Sequence, residues 1–534
     1  MQALRDLKDE DLQGLTPEIV AALARQMLQR IRQQDSEIQF KDAKIEKITF
    51  QLAQLKAWRF GAKTEAMNAE QRRLFEETLA EDEASLQAQL EQAKGESSTP
   101  PATTGDNNDS KRKPRRRPLP EHLRREEHHH EPENTDCPSP DCGRPMVRVG
   151  EDVSERLDVI PAEFFVQRHI YGKWACRCCQ CLVQEAAAPQ IIDGGMPSAG
   201  LVAHTMISHF VDHLPYYRME FINARSDVHT PRSTLASWSG RGGAALMPLY
   251  DAHKRFVLSA PILHADETPV AMLDPGAGKT KRAYVWAYAR GAFDAVPGVI
   301  YDFCVGRGAQ YPVAFLGPED DGRGASAWRG TLVRDEYAAY DKVLIAQPGR
   351  IPAGCLAHAR RKFDELLRDG GKSAVAQEAL LRIAQIYRLE RELAALTCEE
   401  RLASRQSNAK PLWDDLHEWL RLERSRVPDG SATAKALNYS LNAWAALTQN
   451  LLDGDVNVDN NHCENQIRPW ALGRKAWLFC GSELAGQRAA VVMSLVQSAL
   501  CRARHSVDYA DRRTMPSGLA SPRIHCRLRS IQSA

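Results

Sequence analysis

The 534-residue chain has almost no net charge, few aromatic residues and no long apolar run. Its 70 Lys and Arg residues offset 69 Asp and Glu residues, and aromatic residues make up 7% of the chain. No segment reaches the roughly 18 consecutive apolar residues that a membrane-spanning helix needs, and Met1 to Asp6 form no apolar leader. These absences argue against a membrane partner and against secretion, and they predict a cytoplasmic location.

The charge is nevertheless segregated along the chain. Residues 97–109 are rich in Ser, Thr, Pro and Asn, which is typical of a flexible linker. The block Lys111 to Arg117 that follows has six basic residues in seven. Local basic blocks bind polyanions, so Arg115, Arg116 and Arg117 are predicted to contact a phosphate backbone. A solvated tether is the alternative.

Cysteine is concentrated in one short region. Six of the 13 cysteines lie between Cys137 and Cys181, and in a reducing compartment clustered cysteines bind metal more often than they form disulfides. Two cysteine pairs are separated by predicted strands at 153–159 and 164–174. This pattern predicts a zinc ribbon, in which four thiolates form a tetrahedral structural site. The predicted zinc ligands are Cys137, Cys142, Cys176 and Cys179.

Two points of the ribbon stay open. The four-residue gap between Cys137 and Cys142 is wider than the usual two. Cys178 and Cys181 are alternative ligands beside Cys176 and Cys179, so the choice of ligands in the second pair stays open. The run His128 to His130 is predicted to be a solvated loop.

Residues 17–57 predict a helix with a heptad seam. Ile31, Ile38, Ile45 and Leu52 are seven residues apart, and Ile at the first heptad position favours a parallel two-stranded coiled coil. A homodimer is therefore expected. The alternative is one amphipathic helix packed on the rest of the chain.

Residues 198–250 have helical character, with two short helices that fit a helix-turn-helix or, equally, any small helical hairpin. Ser233 is a candidate N-cap of the second of these helices. Helical periodicity returns over 357–452.

Between these helical regions, short apolar runs predict strands of one mixed sheet at 261–265, 284–289, 299–305 and 331–333. Asp266 and Asp335 each follow such a run, and Glu464 stands on a later helix. Two strand-end carboxylates and one helical carboxylate suit a pair of Mg²⁺ ions that act on a phosphodiester. Glu267 and Glu336 are the alternative ligands.

The ordered motifs resemble those of the large transposase of the insertion-sequence sixty-six family. They include Phe60 to Glu65, the cysteine region, Ala265 to Pro269, Asp335 to Tyr340, Cys355 to Phe363, and the Glu464 motif through Ser482. The resemblance implies a ribonuclease-H-like fold with a helical insertion before the third acid, and Asp266, Asp335 and Glu464 as the catalytic triad. It also implies two Mg²⁺ or Mn²⁺ ions and a bacterial, nucleoid-associated enzyme.

The implied partners are double-stranded DNA, as transposon ends and target, a synaptic dimer or higher oligomer, and small accessory transposition proteins. Further predicted DNA contacts are Arg360, Arg361, Lys362, Arg468, Arg474 and Lys475, for which a solvated helix face is the alternative. The competing functions are a metal-dependent nuclease that cuts without joining and a non-catalytic, sequence-specific DNA-binding protein.

The expected fold class is multidomain α+β, with a ribonuclease-H-like α/β core, a helical insertion, an N-terminal coiled coil and a zinc-ribbon-like module. The tail is expected to be disordered, because it has seven Arg, two acids and helix-breaking Pro516 and Pro522. The predicted segments are 1–57 coiled coil, 58–118 acidic helix, linker and basic arm, 119–189 zinc ribbon, 190–256 helical, 257–356 with 456–500 catalytic core, 357–455 insertion and 501–534 tail.

Overall fold

The computed structural model describes residues 41–53, 69–94 and 121–514, with Ile38 and Leu119, except for short gaps at 138–141, 143, 161–162, 180, 193, 275–278, 318–326, 369–371 and 478. For 69–76 and 504–514 only the backbone is described. The chain divides into two compact units. The first unit is Met1–Pro248, Val270–Arg282 and Leu472–Val492; the second is Leu249–Pro269, Ala283–Ala471 and Met493–Ala534.

The first unit contains a four-stranded sheet in which β3 is central. Its strands are β1 Arg124–His130, β2 Val147–Ile160, β3 Glu163–Ala175 and β4 Leu182–Gln184. β2 and β4 pair antiparallel with β3, which confirms the two strands that the sequence predicts between the cysteine pairs. β1 pairs parallel with β3.

The prediction that His128 to His130 form a solvated loop is wrong, because these residues belong to β1. Their rings stack on the neighbouring strand: the centroids of His130 and Tyr171 are 4.5 Å apart, and those of His128 and His169 are 5.1 Å apart. Flat rings at paired positions stabilise strand pairing, which a reading of polarity alone overlooks.

The helices of the first unit pack around α4. They are α1 Ala69–Lys94, α2 Ala199–Phe210, α3 Tyr216–Ala224 and α4 Arg232–Ala245. Pro231, and not Ser233, precedes α4, and no side chain caps it. Most of α4 is buried, and only Ser233 and Ala245, near its two ends, are exposed. A recognition helix must expose a face to DNA, so this burial favours the helical hairpin over the helix-turn-helix.

The described part of the predicted coiled coil, residues 41–53, is helical. Ile48 and Leu52 are buried and pack against Leu86 of α1, whereas Ile38 is 55% exposed. The amphipathic-helix alternative therefore accounts for the apolar positions of 41–53. The earlier seam position, Ile31, lies outside the described residues.

A five-stranded sheet, mostly in the second unit, has β5 at its centre. Its strands are β5 Ile262–Leu273, β6 Thr280–Arg290, β7 Val299–Cys304, β8 Gly330–Val333 and β9 Arg350–Ala353, in the order β7-β6-β5-β8-β9. β8 lies parallel to β5 and to β9, and β6 and β7 are antiparallel. Four strands are at their predicted places; β9 was not predicted.

Gly330 makes the close approach of β8 to β5 possible. Its φ is +144°, a conformation that side chains rarely adopt, and a Cβ there would overlap the carbonyl oxygen of Pro261. The core beneath this sheet includes Trp286, Tyr288 and Trp328.

Helices fill the rest of the second unit. They are α5 Met247–Val257, α6 Gln310–Leu316, α7 Ala338–Ile345, α8 Leu356–Glu365, α9 Ala374–Leu393, α10 Cys398–Ser404, α11 Lys410–Arg426, α12 Ala432–Asn442 and α13 Trp444–Leu447, with a π-helical turn at Arg405–Ala409 and a 3₁₀ turn at Gln449–Leu451. Helices α8, α9, α11, α12 and α13 share one apolar core around Trp413, in keeping with the predicted helical block. The fully buried Arg405 is bonded to Glu390 at 2.6 Å, which satisfies its charge.

The last two helices are α14 Asn461–Trp477 and α15 Glu483–Thr514. The described helix continues past the predicted break near residue 500 to Thr514, so that boundary was wrong. The rest of the predicted disordered tail, 515–534, lies outside the described residues.

One stretch of α15, Glu483–Ala503, is long and apolar enough to cross a membrane by length and composition, contrary to the prediction that no segment is. Half of it is buried inside the protein. The hydroxyls of Ser494 and Ser498 accept hydrogen bonds from Tyr301 N and Val299 N at 2.9 and 3.0 Å. These hydrogen bonds to β7 indicate that this part of α15 is a helix of the protein core. The chain as a whole is a mixed α/β, multidomain protein.

Candidate active site

Asp266 and Asp335 follow the paired stretch of two neighbouring parallel strands. His264 of β5 pairs with Val333, the last residue of β8; Asp266 lies two residues further along β5, and Asp335 lies two residues past the end of β8. Side chains two residues apart point to the same face of a sheet, and adjacent strands are about 4.8 Å apart. Both acids therefore lie at the edge of the β5–β8 pairing. The prediction that Asp266 ends a strand is wrong, because β5 continues to Leu273.

Asn460 joins that edge to the helix that carries Glu464. Its side-chain amide donates to the carbonyl oxygen of Ala265 at 2.8 Å, and its Oδ1 lies 3.0 Å from Nδ1 of the buried His264. Its backbone N–H donates to Sγ of Cys355 at 3.2 Å. A fully buried amide with every partner supplied fixes α14 relative to β5. Sequence reasoning missed this residue, although it stands in the Asp-Asn-Asn run before Glu464.

Glu464 lies in the first turn of α14 and is half-buried. Its Oε1 is 3.7 Å from Nδ1 of His358, and its Oε2 is 3.8 Å from the guanidinium of Arg361. The first distance is too long for a hydrogen bond, and both Oε1 and the His358 nitrogen are buried without a hydrogen-bond partner in the described part of the chain. Such atoms favour a further ligand at this position. His358 belongs to the Cys355 to Phe363 motif, but the sequence predicted no role for it.

Three acidic groups act on Asp266. Burial raises the pKa of Asp266 to about 8, and the charges of Glu267, Glu464 and Asp335 add to that increase. Asp335 and Glu464 are thus each within electrostatic reach of Asp266. A carboxyl in such surroundings ionises at neutral pH only when a cation compensates it.

The three acids do not form a tight cluster. Among the described residues, groups whose ligand atoms all lie within 4.8 Å include Cys355, His358 and Glu464, but not Asp266, Asp335 and Glu464 together. Like charges repel at short range, so three carboxylates approach more closely only around a cation.

The two alternative acids have other partners. Glu267 accepts hydrogen bonds from Arg307 at 2.8 Å and from the hydroxyl of Tyr340 at 2.8 Å. Glu336 is exposed and lies 3.6 Å from Arg334. These contacts make both residues poorer candidates than their Asp neighbours for holding a cation.

The predicted DNA contacts are distributed over several places. Arg360, Arg361 and Lys362 are all exposed on α8. Arg361 lies 3.8 Å from Glu464, and Lys362 lies 3.8 Å from Glu365. Arg468, Arg474 and Lys475 are exposed on α14. The predicted contacts Arg115, Arg116 and Arg117 lie outside the described residues.

The four predicted zinc ligands lie together in the first unit. Cys137, Cys142, Cys176 and Cys179 have sulfur atoms all within 4.8 Å of one another. Backbone contacts hold the cysteine pairs: Cys137 N–H donates to Arg144 O at 2.9 Å, and Cys176 N–H donates to Cys181 O at 2.9 Å. Of the alternatives left open by the sequence, Cys178 and Cys181 stay outside this group.

Three family models match the chain. The model described as "Transposase IS66 family" matches residues 194–488, more than half of the sequence. The model described as "zinc-finger binding domain of transposase IS66" matches residues 136–180. The model described as "Transposase C of IS166 homeodomain" matches residues 47–127.

Curated relatives from Sinorhizobium fredii (strain NBRC 101917 / NGR234) are also similar. The uncharacterized protein y4jD is 36% identical over 382 residues, which cover 69% of this chain and 72% of y4jD. The uncharacterized protein y4qI is 36% identical over 369 residues, which cover 67% of each chain.

Proposed function

The chain belongs to the IS66 family of transposases, and we propose that it catalyses Mg²⁺-dependent DNA strand cleavage and strand transfer of an insertion sequence. The observation that carries the proposal is that Asp266 and Asp335 both follow the paired stretch of β5 and β8, with Asp335 and Glu464 in electrostatic reach of Asp266. The family membership supports a DNA-processing enzyme that binds DNA, and the geometry supplies a candidate for its chemistry.

The residues present fit a hard divalent cation. Asp266, Asp335 and Glu464 offer carboxylate oxygens, the ligands that Mg²⁺ prefers, and the unpartnered Oε1 of Glu464 favours one more ligand. Two Mg²⁺ or Mn²⁺ ions held there would stabilise the attacking and leaving oxygens of a phosphodiester displacement. The central place of β5, with β8 parallel beside it, supports a ribonuclease-H-like core.

Other side chains would position this site. Asn460 keeps the carboxylate-bearing turn of α14 next to Ala265 of β5, and Arg307 with Tyr340 holds Glu267 in hydrogen bonds of its own. Arg361, beside Glu464, can contact a phosphate oxygen, because a guanidinium is a fixed fork of donors that matches phosphate geometry.

The test uses purified protein and a plasmid that carries the gene with its flanking DNA. We expect cleavage at the element ends and their covalent joining to a second plasmid, both dependent on Mg²⁺. Cleavage without joining would leave a nuclease. DNA binding with neither reaction would leave a DNA-binding protein.

The zinc ribbon is proposed as a folding element. The zinc-finger family match and the group of four cysteines support one structural zinc ion, bound by Cys137, Cys142, Cys176 and Cys179.

A homodimer or higher oligomer is proposed because two DNA ends must be held together before joining. Ile38 is exposed on the helical segment, so Ile38→Ser should weaken a dimer without weakening the fold. An unchanged sedimentation coefficient in this variant would contradict this role for the helix.

A further inference from the structure

A groove of about 510 Å³ lies in the second unit between α8 and α9. Its charged lining residues are Arg360, Arg361, Asp364, Arg368, Arg388 and Arg391, and we call it the arginine groove. Three of these arginines, Arg368, Arg388 and Arg391, have no role in the site described above.

The spacing of the arginines follows the helix repeat. Arg360 or Arg361 and Asp364 are three to four residues apart, which places them on one face of α8, and Arg368 lies just after the helix, paired with Asp364. Arg388 and Arg391 are three apart on α9. Ala357 and Ala384 also line the groove, and their small side chains leave room between the two helices.

The charge of the groove is not neutralised by the protein. Asp364 is paired with Arg368 at 2.8 Å. Arg360, Arg388 and Arg391 are exposed, and no ion pair or hydrogen bond joins these three side chains to any residue that the structure describes. Clustered positive charge with little internal compensation attracts a polyanion.

One end of the groove reaches the candidate active site. Arg361 lies both in the lining and 3.8 Å from Glu464. Tyr387, also in the lining, donates to Asp459 at 2.9 Å. The insertion helix α9 is therefore bonded to the segment that leads into α14.

We propose that the arginine groove binds one strand of duplex DNA through its phosphates and directs it to Glu464, with Arg388 and Arg391 as phosphate contacts. The proposal rests on the proposed function of that site. From Ala384 to Arg391 the helix rises about 10 Å, and one DNA strand carries a phosphate about every 3.4 Å of axis. The groove wall is thus matched to about three phosphates.

The test compares two double variants that each remove two exposed positive charges. Arg388→Ala/Arg391→Ala alters the groove; Arg421→Ala/Lys435→Ala alters exposed residues of α11 and α12 outside its lining. Both are made in an Asp266→Asn background, without added Mg²⁺, so that no cleavage interferes. Binding of a fluorescein-labelled random-sequence duplex is measured by anisotropy over a range of KCl concentrations.

The groove variant should bind more weakly, about tenfold to a hundredfold, and the slope of log K against log salt should be shallower by about 2, since each phosphate contact contributes about 0.9. The control should keep the slope of its parent. Equal slopes in the two double variants would overturn the proposal. A thermal unfolding scan of each checks that both are folded.

The two proposals fail separately. If the unaltered protein neither cleaves nor joins DNA but the slope difference is present, the chemistry is refuted and the arginine groove stands. If it cleaves and joins but both double variants bind DNA alike, the arginine groove is refuted.

Discussion

The two candidate metal sites of this chain differ in how they are assembled. The four cysteine sulfurs lie within 4.8 Å of one another, and local backbone hydrogen bonds hold the pairs. The three acids come from β5, from the end of β8 and from α14, and they do not form a group of that tightness. Sites built from local turns are formed by short-range structure, whereas sites built from distant elements depend on the whole fold.

The partners of each site follow the same division. The cysteines need only the hairpin of β2 and β3 and its ends. The acids need Asn460, which bonds to Ala265 and Cys355, residues far from it in sequence. Each substitution below is therefore expected to affect one site and to spare the other, and the substitutions are ordered by the size of that effect.

The largest effect is expected on removing a zinc ligand. Cys176→Ser should lose the zinc and unfold the ribbon, because structural zinc contributes on the order of 10 kcal/mol in small domains. Cys178→Ser is the matched control and should keep one zinc per chain. Metal analysis and hydrogen exchange of residues 121–184 measure both. Zinc retained in Cys176→Ser and lost in Cys178→Ser would reverse the ligand register.

The next largest effect is expected on activity alone. Glu464→Gln removes one charge from the acid site and should slow cleavage at least about a thousandfold, a loss of about 4 kcal/mol in transition-state stabilisation. Its melting temperature should stay close to that of the parent. Glu336→Gln, an exposed acid beside Asp335, is the control and should cleave normally. If Glu464→Gln cleaves DNA at the parental rate, Glu464 is not part of the active site.

Asn460→Ala should affect both stability and activity. It leaves His264 and the Ala265 carbonyl without their buried partner, which costs about 1–3 kcal/mol, and it loosens the α14 turn that carries Glu464. Denaturant unfolding and cleavage rates measure the two effects. The exposed Asn465 on the same helix supplies the control, since Asn465→Ala should change stability by less than about 0.5 kcal/mol. Equal stability of the two variants would show that the hydrogen bonds of Asn460 do not hold α14 in place.

The smallest effect on activity is expected at Cys355, which lies near Glu464 and His358. Burial raises the pKa of the Cys355 thiol to about 12, so it stays protonated and a poor metal ligand. Cys355→Ser should leave Mg²⁺-dependent cleavage within about threefold, because hard cations prefer oxygen. A loss of Mg²⁺-dependent cleavage well beyond this range in Cys355→Ser would show that the thiol is part of the metal site.

Much of the fold could be predicted because it follows from local pattern. The four strands of the second sheet and the hairpin between the cysteine pairs appear as apolar or alternating runs. β1 escaped because three histidines look like a solvated loop, and their strand is stabilised by stacking on His169 and Tyr171 of β3. β9 escaped because its four residues, Arg350–Ala353, contain Pro352 and little periodicity.

Residue type and spacing alone determined which side chains could bind metal: two cysteine pairs flanking a hairpin, and Asp266, Asp335 and Glu464 in family motifs. Only the tertiary structure decided their surroundings. It placed Asn460 between β5 and α14, gave Glu267 to Arg307, buried α4, and brought Arg388 and Arg391 of the insertion beside α8. The physical reason is that motifs and turns are set by neighbours in the sequence, whereas burial, charge pairing and grooves arise between elements that are distant in the chain.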